Sequence, residues 1–382
     1  MGRVPQFRIT QARCNLISIL LFACCLAALS FHLYLRPIYD IDSLGYMGNA
    51  MLWQDTDPVR IHQRVYQEVR TQLPTTVARH FLGQEPGQSE EQSRSLRDRA
   101  INPGHFAEFL PFFAIRPIYN GLLFILNKSG MSFIRASVIV SSASFFILGC
   151  FLFLWLREHT SDPIAALATL LTMMCSPIRL IGSYTGADGL STLCAISALY
   201  FIFRSGPKLG LGTGLLLASI WVRTDNIVLV APVLGVLYLQ RRLNLWQAIV
   251  LSTVAVASVL AINHFAGDYG LRMLYYRNFV GIPIAPAENP VQFSVHDYLA
   301  AFRKGITDAS ESFLLPFLAL GLIGIARSPR GRALAFILVV YAALHFVVLP
   351  NWQERWFGVF YIGMAVVALS GAQPEHDPCT PA

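Results

Sequence analysis

Apolar positions fill most of this chain in long unbroken blocks, and polar positions gather into two stretches, about 36–110 and 264–311. A basic start with Arg3, Arg8 and Arg13 leads into an apolar run from about Asn15 to Leu35. Ala28-Leu29-Ser30 offers a small-x-small cleavage site, but the run continues to Leu35 and is long enough to span, so it reads as an uncleaved anchor. Further apolar helices are predicted at roughly 136–156, 163–181, 188–203, 209–222, 226–239, 245–263, 312–326, 333–349 and 356–371. The pattern predicts an all-α polytopic transmembrane protein of about ten spans. The run 109–126 holds Arg116 and Pro117 and is short beyond them, which predicts a partly embedded surface helix that does not cross. Residues 83–93 have the composition of a mobile segment, so 36–110 is expected to be a large external loop and not a domain. Residues 1–371 then form a single transmembrane domain, with 264–311 as a second external loop and 372–382 as a short cytoplasmic tail. No internal repeat is visible, so a transporter of the inverted-repeat type gains no support.

Composition agrees, with 54% hydrophobic residues and only 13% charged, which excludes a soluble enzyme. The formal charge of +7 belongs to topology and not to nucleic acid, because basic residues collect on short cytoplasmic loops. With the amino terminus inside, Arg157, Arg204, Lys208, Arg241, Arg242, Arg327, Arg330 and Arg332 fall on inner loops. The short outer connections hold Lys128, Arg135, Arg179, Arg223 and Arg355. The seven cysteines show no CxxC pattern and no disulfide framework.

In this register the unusual polar residues share one side of the membrane. Asp40 and Asp42 follow the first span. They either mark its end in water or, on an extended backbone, point the same way and bind a divalent cation or take a proton from a hydroxyl. Arg116 before Pro117 either snorkels to headgroups or offers a planar fork to a phosphate. Asp188 opens a helix, as an N-cap or as a functional carboxylate. Arg223 and Asp225 at a helix break form a local ion pair or meet an anionic ligand. A mixed aromatic and charged cluster follows the seventh span, His264, Asp268, Tyr269, Arg272, Tyr275, Tyr276 and Arg277. It lines a polar site or forms an interfacial belt.

Together, Tyr39-Asp40-Ile41-Asp42, Ile115-Arg116-Pro117-Ile118-Tyr119, Gly186-Ala187-Asp188-Gly189, Trp221-Val222-Arg223-Thr224-Asp225 and Glu354-Arg355-Trp356-Phe357 resemble the GT-C superfamily. These polytopic transferases move a sugar from a polyprenyl-phosphate carrier, and include the protein O-mannosyltransferases and the lipid A aminoarabinose transferases. The resemblance runs through most of 15–371 as scattered short motifs. It implies a GT-C-like fold in a bacterial inner (plasma) membrane, acting at the extracytoplasmic face on a polyprenyl-phosphate-linked sugar donor and an unknown lipid, glycan or protein acceptor. It implies Asp40 or Asp42 as base, Arg116 as the main phosphate ligand, Asp188 as a supporting or acceptor-orienting carboxylate, and Tyr119, Arg223, Arg272 and Arg355 as further substrate contacts. No cofactor is fixed; a divalent metal ion, if one is used, falls to Asp40 and Asp42. Arg-Pro-Ile-Tyr stands where many relatives have a double proline, often with Lys or His, and the soluble carboxy-terminal domain of some members is not expected here. The rival classes are a transporter or flippase of a lipid-linked or small polar substrate, and a non-catalytic membrane scaffold.

The register makes a direct prediction. A membrane-impermeant thiol reagent applied from outside labels cysteines introduced at Gln88 and Asn289 and spares those at Arg241 and Arg330; outside labelling at Arg241 overturns the register.

Overall fold

A computed structural model describes residues 5–204, 206–279, 294–325 and 329–370. The loop position Asn289 and the tail 372–382 lie outside them, as does the side chain of Arg272. The described chain is helical, and its one β-type pairing is a single parallel bridge between Ile38 and Tyr184.

The first long helix, α1 (Pro5–Leu35), enters a stretch that is more structured than its composition suggests. Residues 36–110 fold into α2 (Asp42–Leu52), α3 (Pro58–Gln72), α4 (Thr75–Phe81), α5 (Glu90–Ile101) and α6 (Pro103–Phe109). Apolar residues are sparse here but fall at helical spacing, as Ile61, Val65 and Val69 do on α3, and they bury in one cluster with Tyr66, Phe81, Phe106 and Phe109. Side chains start these helices: the Asp57 carboxylate accepts from Val59 N, Ser89 Oγ from Gln92 N, and Asn102 Oδ1 from Gly104 N. The segment expected to be mobile is built instead from two turns, at Gly83 (φ 64°) and Gly87 (φ 93°), followed by the capped start of α5.

Then come α7 (Pro111–Ala114) and α8 (Pro117–Lys128), bent 115° from the α6–α7 run. The bend lies where Pro117 bars the preceding residue from helical geometry, leaving Arg116 at φ −127° and ψ 60°. The remainder is α9 (Phe133–Leu156), α10 (Asp162–Met174), α11 (Ser176–Ser183), α12 (Asp188–Phe203), α13 (Leu209–Val222), α14 (Ile227–Leu239), α15 (Leu245–Phe265), α16 (Gly270–Phe279), α17 (Val295–Ser310), α18 (Leu314–Ile325), α19 (Pro329–Val348) and α20 (Gly358–Leu369).

Among the described residues, four helical stretches are long and apolar enough to cross a membrane, Leu16–Leu35, Phe133–Leu156, Leu245–Phe265 and Gly331–Val348, and the number rises to seven if each of three bent pairs is one span. The larger sequence-based count also took α12, α13, α14 and α20 as spans, which have 16, 14, 13 and 12 residues. Their shortness has a common cause. Asp188 starts α12, Arg223 ends α13, Asp225 precedes α14 and Arg355 precedes α20, so each apolar run stops at a charge that belongs to one cluster.

Small residues let the last helices approach closely. A Cβ on Gly321 would strike Met364 Sδ, and one on Gly324 would land on the carbonyl of Val367. A backbone carbonyl cannot swing away, so Gly324→Ala should cost about 1–3 kcal/mol, the range for overpacking a filled core. A lower midpoint of thermal unfolding in detergent checks this, and an unchanged midpoint refutes the close α18–α20 contact.

Candidate functional site

The α1–α2 connection is laced to the α11–α12 connection. Ile38 N donates to Ser183 O at 2.8 Å, Thr185 N to Ile38 O at 3.1 Å, and the hydroxyls of Ser43 and Thr185 meet at 2.7 Å. This lacing brings Asp40 and Asp42, just past α1, beside Asp188 at the start of α12. A cavity of about 380 Å³ opens there, lined by Asp40, Asp42, Arg116, Asp188, Arg223, Asp225, Arg277 and Arg355 among its charged residues. Segments far apart in sequence thus converge on one space.

The charges form a continuous alternating chain. Arg355 Nη2 reaches Asp40 Oδ2 at 3.0 Å and its Nη1 reaches Asp188 Oδ2 at 3.5 Å. The other Asp188 oxygen accepts from Arg223 Nη1, and Arg223 grips Asp225 with Nε at 3.0 Å and Nη2 at 2.7 Å. Asp225 Oδ2 ends the chain on His345 Nε2 of α19, at 3.0 Å. Separately, Arg277 Nη2 of α16 donates to Asp42 Oδ1 at 2.7 Å. Asp188 therefore makes no capping bond to its helix; its carboxylate is spent on two arginines, and both side-chain oxygens are engaged.

Arg116 differs from the other three arginines. Among the described residues it has no carboxylate within 4 Å. Its guanidinium lies 5.3 Å from the Tyr46 ring centroid and 5.9 Å from that of Phe113, and Nη1 donates to Phe112 O at 3.3 Å. The cavity thus holds four carboxylates and four arginines, and Arg116 is the cation whose charge no ion pair has claimed.

Asp40 and Asp42 do not lie side by side on an extended strand, because Ile41 between them has helical dihedrals, φ −57° and ψ −26°. Their environments split them. Burial, and after it the charge of Asp42, raises Asp40 above its ordinary value against the pull of Arg355. Burial acts on Asp42 in the same upward sense, but Arg277, then Arg355 and Arg116, together outweigh it and hold Asp42 below the ordinary range. The metal option finds no cage: among the described residues no group of three His, Cys, Asp or Glu side chains is placed to hold an ion, and each of these two carboxylates already faces an arginine.

Of the residues singled out from sequence, Asp40, Asp42, Arg116, Asp188, Arg223 and Arg355 line the cavity. Tyr119 does not; it is fully buried behind Tyr46, ring centroids 4.8 Å apart. Arg272 lies on α16 but its side chain is outside the described residues. Sequence reasoning passed over Tyr46 and His345, and gave Arg277 no role beyond a cluster of mixed character. His345 sits near the end of an apolar span, where a lone histidine carries no signal of an acid 120 residues away. Comparison with family models, with curated proteins and with solved structures finds no match.

The Asp42–Arg277 pair has a pH signature. Asp42 is held below 3.8, so the pair's contribution is present in full above that value and is lost as pH falls through the lowered one. Arg277→Gln should therefore unfold at a lower temperature than wild type at pH 6 to 7, with the gap closing below about pH 4. A gap that persists unchanged in acid refutes the assignment.

Proposed function

We propose that the protein is an integral-membrane glycosyltransferase, which moves a sugar from a polyprenyl-phosphate carrier to a lipid, glycan or protein acceptor at the extracytoplasmic face. The observation that carries this reading is the meeting, in one cavity, of two carboxylates of opposite pKa displacement and an arginine with no carboxylate partner. The GT-C resemblance of the same motifs supports it.

Displacement at an anomeric carbon needs a proton acceptor for the incoming hydroxyl and positive charge for the departing phosphate; a phosphate is a good enough leaving group to need no strong acid. In this reading the phosphate rests on Arg116, whose fork takes two oxygens. The acceptor oxygen forms its bond to the anomeric carbon as the bond from that carbon to the phosphate oxygen breaks, and the electron pair leaves with the phosphate. The acceptor's proton passes to Asp40, the more basic of the two carboxylates, while Asp42 stays ionised and steadies positive charge at the sugar carbon. Asp188, with both oxygens committed, holds Arg355 and Arg223 in place. The apolar flank of the same cavity, with Ile227, Val228 and Val259, suits the first units of a hydrocarbon carrier.

The substitutions Asp40→Asn and Asp42→Asn keep volume and remove charge, so Asp40→Asn should lower transfer by about 10²–10⁴-fold, the usual contribution of a general base, and Asp42→Asn by about 10²–10³-fold, that of one electrostatic contact to the transition state, with expression retained. Mass spectrometry of lipids, glycans and glycoproteins in a complemented deletion strain reads this. Full activity in both variants sinks the base assignment. Arg116→Ala should weaken donor binding roughly 10- to 100-fold, as expected for a lost charged hydrogen bond, and Arg116→Lys should fall between; unchanged donor affinity in Arg116→Ala rules out phosphate binding there.

A further inference from the structure

A second cavity, of about 570 Å³, lies behind the wall of the first. The wall is the segment Leu110–Pro117: Phe112, Ile115 and Arg116 line the first cavity, while Leu110, Pro111, Ala114 and Pro117 line the second. The second is of a different character. No charged side chain lines it among the described residues, and its surface is mainly apolar and aromatic, from Trp53, Phe106, Trp221, Ile262 and Phe265. Its two amide side chains, Asn49 and Asn120, donate to protein carbonyls, Asn49 to Gly45 O and Leu110 O at 2.8 and 2.7 Å, and Asn120 to Phe113 O at 2.9 Å, which leaves the buried Asn120 Oδ1 as an acceptor without a partner. Beyond that one amide oxygen, a polar ligand would find little to bind.

Its location says what fills it. Ile262 and Phe265 come from the last turn of α15 and Ala266 caps it; this helix is apolar enough to span and only 11% buried inside the protein, so its outer surface faces lipid. The lining residues Phe265, Trp53 and Trp221 are 85%, 55% and 37% exposed, and indole rings beside the end of a span mark the headgroup level. The cavity is therefore continuous with the lipid-facing surface at a leaflet boundary. A carrier whose phosphate rests on Arg116 leaves its own cavity along Ile227, Val228 and Val259, on the other side of the wall.

We propose that this second cavity seats one acyl chain of a bilayer glycerophospholipid. The occupant is held by hydrocarbon contact alone and packs against the wall that carries Arg116. The choice of a bilayer lipid over the polyprenyl carrier rests on the transferase reading; the apolar character and lipid-side position of the cavity do not.

The test uses the full-length protein in nanodiscs containing a phosphatidylcholine with a diazirine at the end of one acyl chain, irradiated and mapped by peptide mass spectrometry. Adducts are expected on peptides holding Trp53 and Phe106–Pro117, besides those on the lipid-facing surface of α15 between Trp246 and Val256, which serve as the internal control. Filling the cavity through Ala114→Phe, or through Ala107→Phe should the first variant not fold, should lower the interior adducts several-fold and leave the α15 adducts unchanged; Arg116→Ala should change neither. Labelling of α15 without labelling of the interior peptides overturns the proposal. So does interior labelling that a folded filling variant does not reduce, or that added polyprenyl phosphate abolishes, the last result assigning the cavity to the carrier instead.

Discussion

An ionised side chain removed from water must meet opposite charge, and the arrangement around the first cavity follows from that constraint. Asp40, Arg355, Asp188, Arg223, Asp225 and His345 satisfy one another in sequence. Every link except the local one between Arg223 and Asp225 joins different parts of the chain: the exit of α1, the entry to α20, the start of α12, the break between α13 and α14, and the end of α19. The helices that supply these groups are short because they stop where the charges are needed. Aromatic rings brace the cations from the side, with Tyr184 4.3 Å from Arg355 and Trp356 5.8 Å from Arg223. Breaking one link leaves a buried charge without its partner, so the network fixes position more than it adds stability.

This network also gives Arg116 its character. Three arginines are committed to carboxylates, while Arg116 stands at a proline-forced bend with aromatic rings on one side and the cavity on the other. Pro117 determines the bend, and the bend determines where the guanidinium lies. The same short segment has two faces, one lining a charged space and the other an apolar one, so a single wall separates two unlike environments a few residues apart.

Much of the site was legible in sequence because charge is rare in an apolar chain: Asp40, Asp42, Arg116, Asp188, Arg223 and Arg355 stand out against their surroundings, and the structure brings all six to one cavity. Their partners were not legible. Arg277 reaches Asp42 from 235 residues away and His345 reaches Asp225 from 120, and no spacing rule foretells such pairs. Helical character in an apolar chain was equally plain, but the lengths of α12, α13, α14 and α20 were not, since hydropathy does not show where a helix must stop to deliver a charge. The stretch 36–110 escaped for the opposite reason. Its core rests on few apolar residues at helical spacing, as on α3, within a sequence whose overall polarity suggests a loop.

The most direct test is a cryo-electron microscopy map of the full-length protein in nanodiscs with a polyprenyl phosphate bound. The account predicts phosphate density in the first cavity, within contact of the Arg116 guanidinium and facing Asp40 and Asp42, with the chain of contacts from Arg355 to His345 intact. Phosphate density elsewhere, or a cavity in which Arg116 turns away to a carboxylate, would contradict it.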